Sequence, residues 1–180
     1  MVTVESKVRG ASARALGQFA ARAQRAAGVR GEVDVLVTSS AELRRLNRRF
    51  RGKNAATDVL SFPSHNGKIH HGGTETRRNP FSKSSVPPCP RGRCSGDIAV
   101  SAEIAASNAG RLGHTATDEL KILILHGLLH LAGYDHENDA GEMARKEARM
   151  RRALGLPAAL IERADNLSAR KGTRSQRRRP

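Results

Sequence analysis

Three histidines carry the chemistry of this sequence. His126 and His130 stand four residues apart within Glu119-Leu-Lys-Ile-Leu-Ile-Leu-His-Gly-Leu-Leu-His-Leu131, and His136 follows six residues later. Residues four apart on a helix share one face, about one turn from each other. Gly133, between the second and third histidines, tolerates positive φ and lets the chain turn back. Three imidazoles brought together so suit zinc, which binds neutral imidazole nitrogen and leaves a fourth position open for water. Such a zinc lowers the pKa of its water to about 7 and furnishes a nucleophile at neutral pH. The set has no carboxylate, which separates it from the non-haem iron triad. A single histidine in an apolar helix is usually a satisfied core residue. Three converging imidazoles without a shared metal are hard to satisfy, so His126, His130 and His136 are assigned as ligands of one Zn2+ per chain.

The order His-x-x-x-His-x-x-Gly-x-x-His also matches the metzincin peptidases, whose general-base Glu follows the first histidine. Gly127 occupies that position here. The zincin-like metal geometry therefore comes without the peptidase's proton shuttle. A zinc hydrolase of another class, metzincin-like peptidase or amidase, stays open as an alternative on these residues. The other histidines, His65, His70, His71 and His114, are read as structural or solvated, and Cys89 and Cys94 as a weak metal pattern.

Several elements must position the histidines. Residues 11–27 read as an Ala-rich helix with Leu16, Phe19, Ala20 and Ala23 inward and Arg14, Arg22 and Arg25 to one side. Val33, Val35 and Val37 mark a strand. Ser39 to Glu42 form a capping box for a helix to about Arg49, with Leu43, Leu46 and Phe50 inward and Arg44, Arg48 and Arg51 outward. Strands follow at 57–62 and 97–101, and Ser101 caps a helix to about Gly110. The histidine helix starts near Thr115–Asp118, and a last helix spans about Asp139 to Leu154. Its strongly apolar character predicts that the histidine helix is buried. The expectation is a single α/β (α+β) domain: a small mixed sheet packed with about five helices.

Length allows one domain, and the charge is uneven. Of a formal +15, six positive charges lie in residues 166–180 without an acid, and residues 64–95 hold six basic residues against one acid. Neither segment has a sustained apolar period. The expected organisation is a domain over 1–165 with 64–95 as a long mobile insertion, then a basic disordered tail. Basic arms favour a polyanion partner. Aromatic residues are only 3% of the chain, which argues against modules that bind RNA on rows of stacking rings. No apolar run is long enough to cross a bilayer, and no secretory h-region opens the chain. A cytoplasmic location without membrane contact is expected.

The block His126-Gly-Leu-Leu-His-Leu-Ala-Gly-Tyr-Asp-His136 resembles the signature of the YbeY endoribonucleases, the bacterial rRNA maturation factors. Leu46-Asn-Arg-Arg-Phe-Arg-Gly-Lys53, Thr57-Asp-Val-Leu-Ser-Phe-Pro63 and Gly96-Asp-Ile-Ala-Val-Ser101 resemble its other blocks. The resemblance covers roughly residues 1–157. It departs at Asn54-Ala55-Ala56, at the length of 64–95 and at the tail. It implies zinc on the three histidines and a single-strand-specific, metal-dependent endoribonuclease acting in small-subunit rRNA 3′-end maturation and ribosome quality control. It implies the small ribosomal subunit as partner, with ribosomal proteins and ribosome-assembly GTPases as further candidates, and beside it a non-catalytic zinc-containing ribosome assembly factor stays open as an alternative. Arg51 matches the family's catalytic-groove arginine, and a guanidinium suits phosphate. Asp58, Asp97 and Asp135 are candidates to orient the ligand imidazoles. Arg14, Arg22, Arg25, Arg44 and Arg48 are candidate RNA contacts.

Overall fold

A computed structural model describes residues 1–64, 95–136 and 139–157. In chain order the elements are β1 (Val2–Val4), α1 (Ala13–Ala27), β2 (Val33–Thr38), α2 (Ser40–Arg51), β3 (Val59–Ser64), β4 (Ser95–Ser101), α3 (Ala102–Leu112), α4 (Ala116–Leu131) and α5 (Glu142–Leu154). The sheet runs β1-β2-β4-β3. β1, β2 and β4 are parallel, and β3 is antiparallel to β4. The expected mixed sheet and five helices are present, with one strand more than the sequence pattern marks. β1 has only three residues and lies on the edge beside β2, too short to show a period.

Capping chemistry starts the helices where the sequence places them. The side chains of Ser12, Ser39, Ser101 and Thr115 each accept a hydrogen bond from the backbone N–H three residues on, satisfying donors the first turn leaves free. At α2 only half of the expected capping box forms: Ser39 caps, while the Glu42 carboxylate accepts from Arg45 instead. α5 begins three residues later than expected. Asp139 stays outside it and accepts from the N–H groups of Gly141 and Met143 at 2.8 and 2.7 Å.

The sheet divides the molecule. Val35, Val37, Ile98 and Val100 pack with Leu16, Phe19, Ala20 and Ala23 of α1 and with the buried leucines of α4. Leu60 and Ala99 face the other way and pack on Leu43 of α2, beside Leu46 and Phe62. Alternation along β3 and β4 thus sets α2 on one face and α4 on the other. Ten of the sixteen residues of α4 are buried, as its composition predicts. Ser64 is opposite Ser95 in the β3–β4 register, so the chain leaves and re-enters the sheet at the end of a hairpin. His65, His70, His71, Cys89, Cys94 and the tail 166–180 lie outside the described residues, as does most of the 64–95 insertion. No described helix is long and apolar enough to cross a membrane.

Candidate metal centre

The last two turns of α4 carry His126 and His130, and the turn that follows closes the cluster. Gly133 takes φ 90°, and the Tyr134 N–H bonds the Leu129 carbonyl at 3.0 Å. This reversal returns His136 toward His126 and His130. Ring centroids are 4.8, 5.3 and 5.2 Å apart, and one nitrogen from each ring lies within 4.8 Å of the others.

Hydrogen bonds on the outer nitrogens show what the inner ones offer. His126 Nδ1 lies 2.8 Å from Glu147 Oε2, and His130 Nδ1 lies 3.0 Å from the Tyr134 carbonyl oxygen. Both partners accept, so both Nδ1 atoms carry hydrogen. In the neutral rings Nε2 is then a bare lone pair. These two Nε2 atoms face each other at 3.1 Å. Two lone pairs so close have no donor between them, and a shared cation satisfies both. The donor set, neutral imidazole held by a carboxylate and a carbonyl, is what zinc takes. The group can therefore hold a metal.

The electrostatics agree. Burial, then the charges of His126 and His136, push the His130 imidazole down to about 4, against smaller upward pulls from the Tyr134 carbonyl and Asp135. It is neutral and ready to ligate at pH 7. Burial pulls the Glu147 carboxyl upward, but the His126 hydrogen bond and Arg151 bring it below its usual value. A histidine whose folded pKa lies below its unfolded one stabilises the fold above the unfolded pKa, and that stability is lost as pH falls. With metal removed, the protein should therefore weaken from about pH 6.5 down to about 4, by on the order of 1–2 kcal/mol after allowing for solvent at the ring. Urea midpoints of chelator-treated protein at about pH 7 and 4.5 check this. An unchanged or higher midpoint at the lower pH would refute it.

Gly127 does not face the histidines. A Cβ there would stand 2.8 Å from Ile98 Cγ2 and 3.0 Å from Ser61 Oγ, and Ser61 Oγ donates to the Gly127 carbonyl at 3.3 Å. The position that carries the peptidase base in metzincins is here the contact where α4 rests on the sheet.

The other candidates are dispersed. Asp58 Oδ1 accepts from Thr57 Oγ1 and the Val59 N–H at 3.2 and 2.9 Å, tying the start of β3. Asp97 is exposed on β4, opposite Phe62. Neither is a hydrogen-bond partner of His126 or His130 among the described residues, because Glu147 and the Tyr134 carbonyl hold those Nδ1 atoms. The charge of Asp135 pulls the His130 imidazole upward. The sequence did hold a sign of Glu147: it shares the inward stripe of α5 with Met143 and Met150, where a carboxylate needs a partner. His114 is structural in place, its Nε2 2.7 Å from Glu119 Oε2 with both side chains nearly buried.

Arg51 is exposed in the last turn of α2, across the sheet from α4. Both nevertheless reach the same end of the hairpin. Phe50 stacks edge-on against Phe62 at 5.1 Å, and Leu131 packs where a Cβ on Gly96 would meet it. Phe62 and Gly96 lie within one residue of each other in the β3–β4 register. The last turn of α2 and the last turn of α4 thus reach the same end of the edge strand β3 from opposite faces. Arg44 donates to Asn54 Oδ1 and Asn47 to the Ala55 carbonyl, so residues 54–55 fold back along α2. Arg14, Arg22 and Arg25 are exposed on α1, and Arg48 on α2.

Comparison with known proteins adds the rest. The sequence profile of the family described as Endoribonuclease YbeY matches residues 2–155. A Koribacter versatilis protein named Endoribonuclease YbeY is 47% identical over 177 residues, 98% of this chain and 100% of that one. A Solibacter usitatus protein of the same name is 44% identical over 152 residues, 84% of this chain and 86% of that one. A solution structure from Thermotoga maritima aligns with TM-score 0.49 and 27% identity, over 83% of this chain and 85% of that one.

Proposed function

The chain belongs to the YbeY endoribonuclease family, and from that premise we propose that it cleaves single-stranded RNA at a zinc held by His126, His130 and His136, maturing the 3′ end of small-subunit rRNA. Its activity is that of an endoribonuclease, a hydrolase of RNA phosphodiester bonds. The observation that carries the metal assignment is the pair of facing Nε2 lone pairs, 3.1 Å apart, with both Nδ1 atoms already committed. Gly127 against Ile98 speaks against the peptidase alternative, since a Glu there would enter the sheet contact and not the site.

Zinc supplies Lewis acidity, polarising a phosphoryl oxygen and acidifying water. The protein's own groups do the remainder. Hydrolysis builds negative charge on the non-bridging phosphate oxygens, and a fixed cation near them lowers the barrier. Arg51 is that cation in this proposal; what supports it is that Arg51 closes α2, on the row that includes Arg44 and Arg48, and that the ends of α2 and α4 meet the same end of the hairpin. An RNA strand running along the β3 edge meets Arg51 on one side and the histidines on the other. Arg14, Arg22 and Arg25, on the α4 side of the sheet, would take phosphates further along, and the tail 166–180 would add a salt-sensitive contact. The cytoplasm and the small ribosomal subunit complete the proposal, with ribosomal proteins and assembly GTPases as candidate partners.

The test is to incubate zinc-loaded protein with particles carrying unprocessed small-subunit rRNA and to map the ends. New 3′ ends at the mature position support the proposal; intact precursor beside a cleaved single-stranded control would remove the rRNA assignment and leave the nuclease. In the same assay Arg51→Ala should slow cleavage about 100- to 1,000-fold, as loss of an oxyanion-stabilising donor does, with zinc content unchanged. A wild-type rate at saturating RNA would return Arg51 to the solvated surface.

A further inference from the structure

We infer that Glu147, clamped by Arg151, is a positioning residue that fixes His126 in the tautomer with hydrogen on Nδ1 and so aims its Nε2 lone pair into the histidine cluster.

Glu147 sits on the buried stripe of α5 between Met143 and Met150, with 8% of its surface exposed. Nothing in the packing of a helix against α4 calls for a carboxylate there, and an unpaired one is costly. Both of its oxygens are used. Oε2 accepts from His126 Nδ1 at 2.8 Å, across 21 residues of sequence, and Oε1 accepts from the Arg151 guanidinium one turn further along α5. The Arg151 side chain is only 12% exposed, and its buried Nε has no hydrogen-bond partner among the described residues. A guanidinium is placed in poor surroundings to hold this one carboxylate still.

The arrangement has three consequences. A carboxylate that only accepts fixes the hydrogen on Nδ1, and an imidazole with hydrogen there presents Nε2 as its donor atom. Glu147 is not free to serve as a general base, because its oxygens face His126 and Arg151. The two helix-borne ligands also differ: His126 is backed by a full negative charge and His130 by the neutral Tyr134 carbonyl. Charge behind an imidazole raises its basicity as a ligand, so His126 is the stronger donor of the two. The influence on zinc rests on the proposed three-histidine site; the control of the tautomer does not.

Two variants and two readouts test this. Glu147→Gln keeps an acceptor for Nδ1–H but loses the charge. The double variant Glu147→Ala/Arg151→Met removes the carboxylate without stranding the buried cation. Competition with a chelator reads zinc affinity, with folding monitored by circular dichroism. Nitrogen-15 NMR of the imidazoles reads the His126 tautomer in chelator-treated protein. Zinc affinity should fall about 10-fold in Glu147→Gln and toward about 100-fold in the double variant, the range for lost outer partners of a metal-bound histidine. The Nδ1–H form of His126 should dominate in wild type and Glu147→Gln and lose that dominance in the double variant. A folded double variant with wild-type affinity and wild-type tautomer overturns the inference. A wild-type protein that takes up no zinc defeats the metal assignment instead, and the NMR arm then decides on Glu147 by itself.

Discussion

Alanine at His126, His130 or His136 should each abolish stoichiometric zinc binding and, with it, RNA cleavage. The three rings offer one nitrogen each within 4.8 Å of the others, so none is a spare. Losing a partner behind a ligand already costs about 10–100-fold in affinity, and losing the ligand itself costs more. Cleavage should drop by several orders of magnitude, since the Lewis acid departs with the site. The variants should still fold. His136 is exposed and His126 is half-buried, and their removal also relieves the crowding of like groups. The measurement is zinc per chain by elemental analysis beside cleavage of a single-stranded RNA. His114→Ala is the control: His114 pairs with Glu119 near the other end of α4, and its loss should leave zinc in place. One zinc per chain in a folded variant lacking all three histidines would sink the assignment.

Gly127→Ala should destabilise the protein, although helix propensity alone predicts the reverse. In an isolated helix the exchange gains about 1 kcal/mol. Here the new methyl would stand 2.8 Å from Ile98 Cγ2 and 3.1 Å from its Cδ1, and Ile98 is 1% exposed with little room to move. Overpacking of this kind costs about 1–3 kcal/mol, and with no room at Ile98 the upper part of that range applies, so after the propensity gain a net loss of up to about 2 kcal/mol is expected. Gly127→Glu should lose more, because it adds length and an unpaired buried charge. It should yield no peptidase, since the carboxylate would lie on the sheet side of α4. Denaturant midpoints of the zinc-free proteins measure both. A Gly127→Ala variant as stable as wild type would show that α4 can lift from β4.

Much of this protein was determined by short-range order. The helix caps at Ser39, Ser101 and Thr115 and the inward stripe Leu16, Phe19, Ala20 and Ala23 are found where the sequence places them. Each depends on groups within about one turn or a few turns of a single helix, so spacing alone reveals it. The convergence of His126, His130 and His136 is of the same kind: two residues four apart, a glycine with positive φ and a short return. The strand β1 escaped because three residues show no period and only the β2 ladder defines them. Asp58, Asp97 and Asp135 drew attention as carboxylates near the recognised blocks, yet Glu147 and a backbone carbonyl hold the outer nitrogens of His126 and His130. Which carboxylate meets His126 depends on how α5 lies on α4, a packing decision made across 21 residues. The same holds for Gly127, whose missing side chain has no local cause and is explained by Ile98 and Ser61 on the sheet below. That the end of α2 carrying Arg51 lies at the same end of the hairpin as the end of α4 is likewise a matter of packing, set by Phe50 on Phe62 and Leu131 beside Gly96. Local pattern brought the three histidines together, whereas helix and sheet packing chose what orients them, because hydrogen bonds between elements exist only once the core has set the elements' distances.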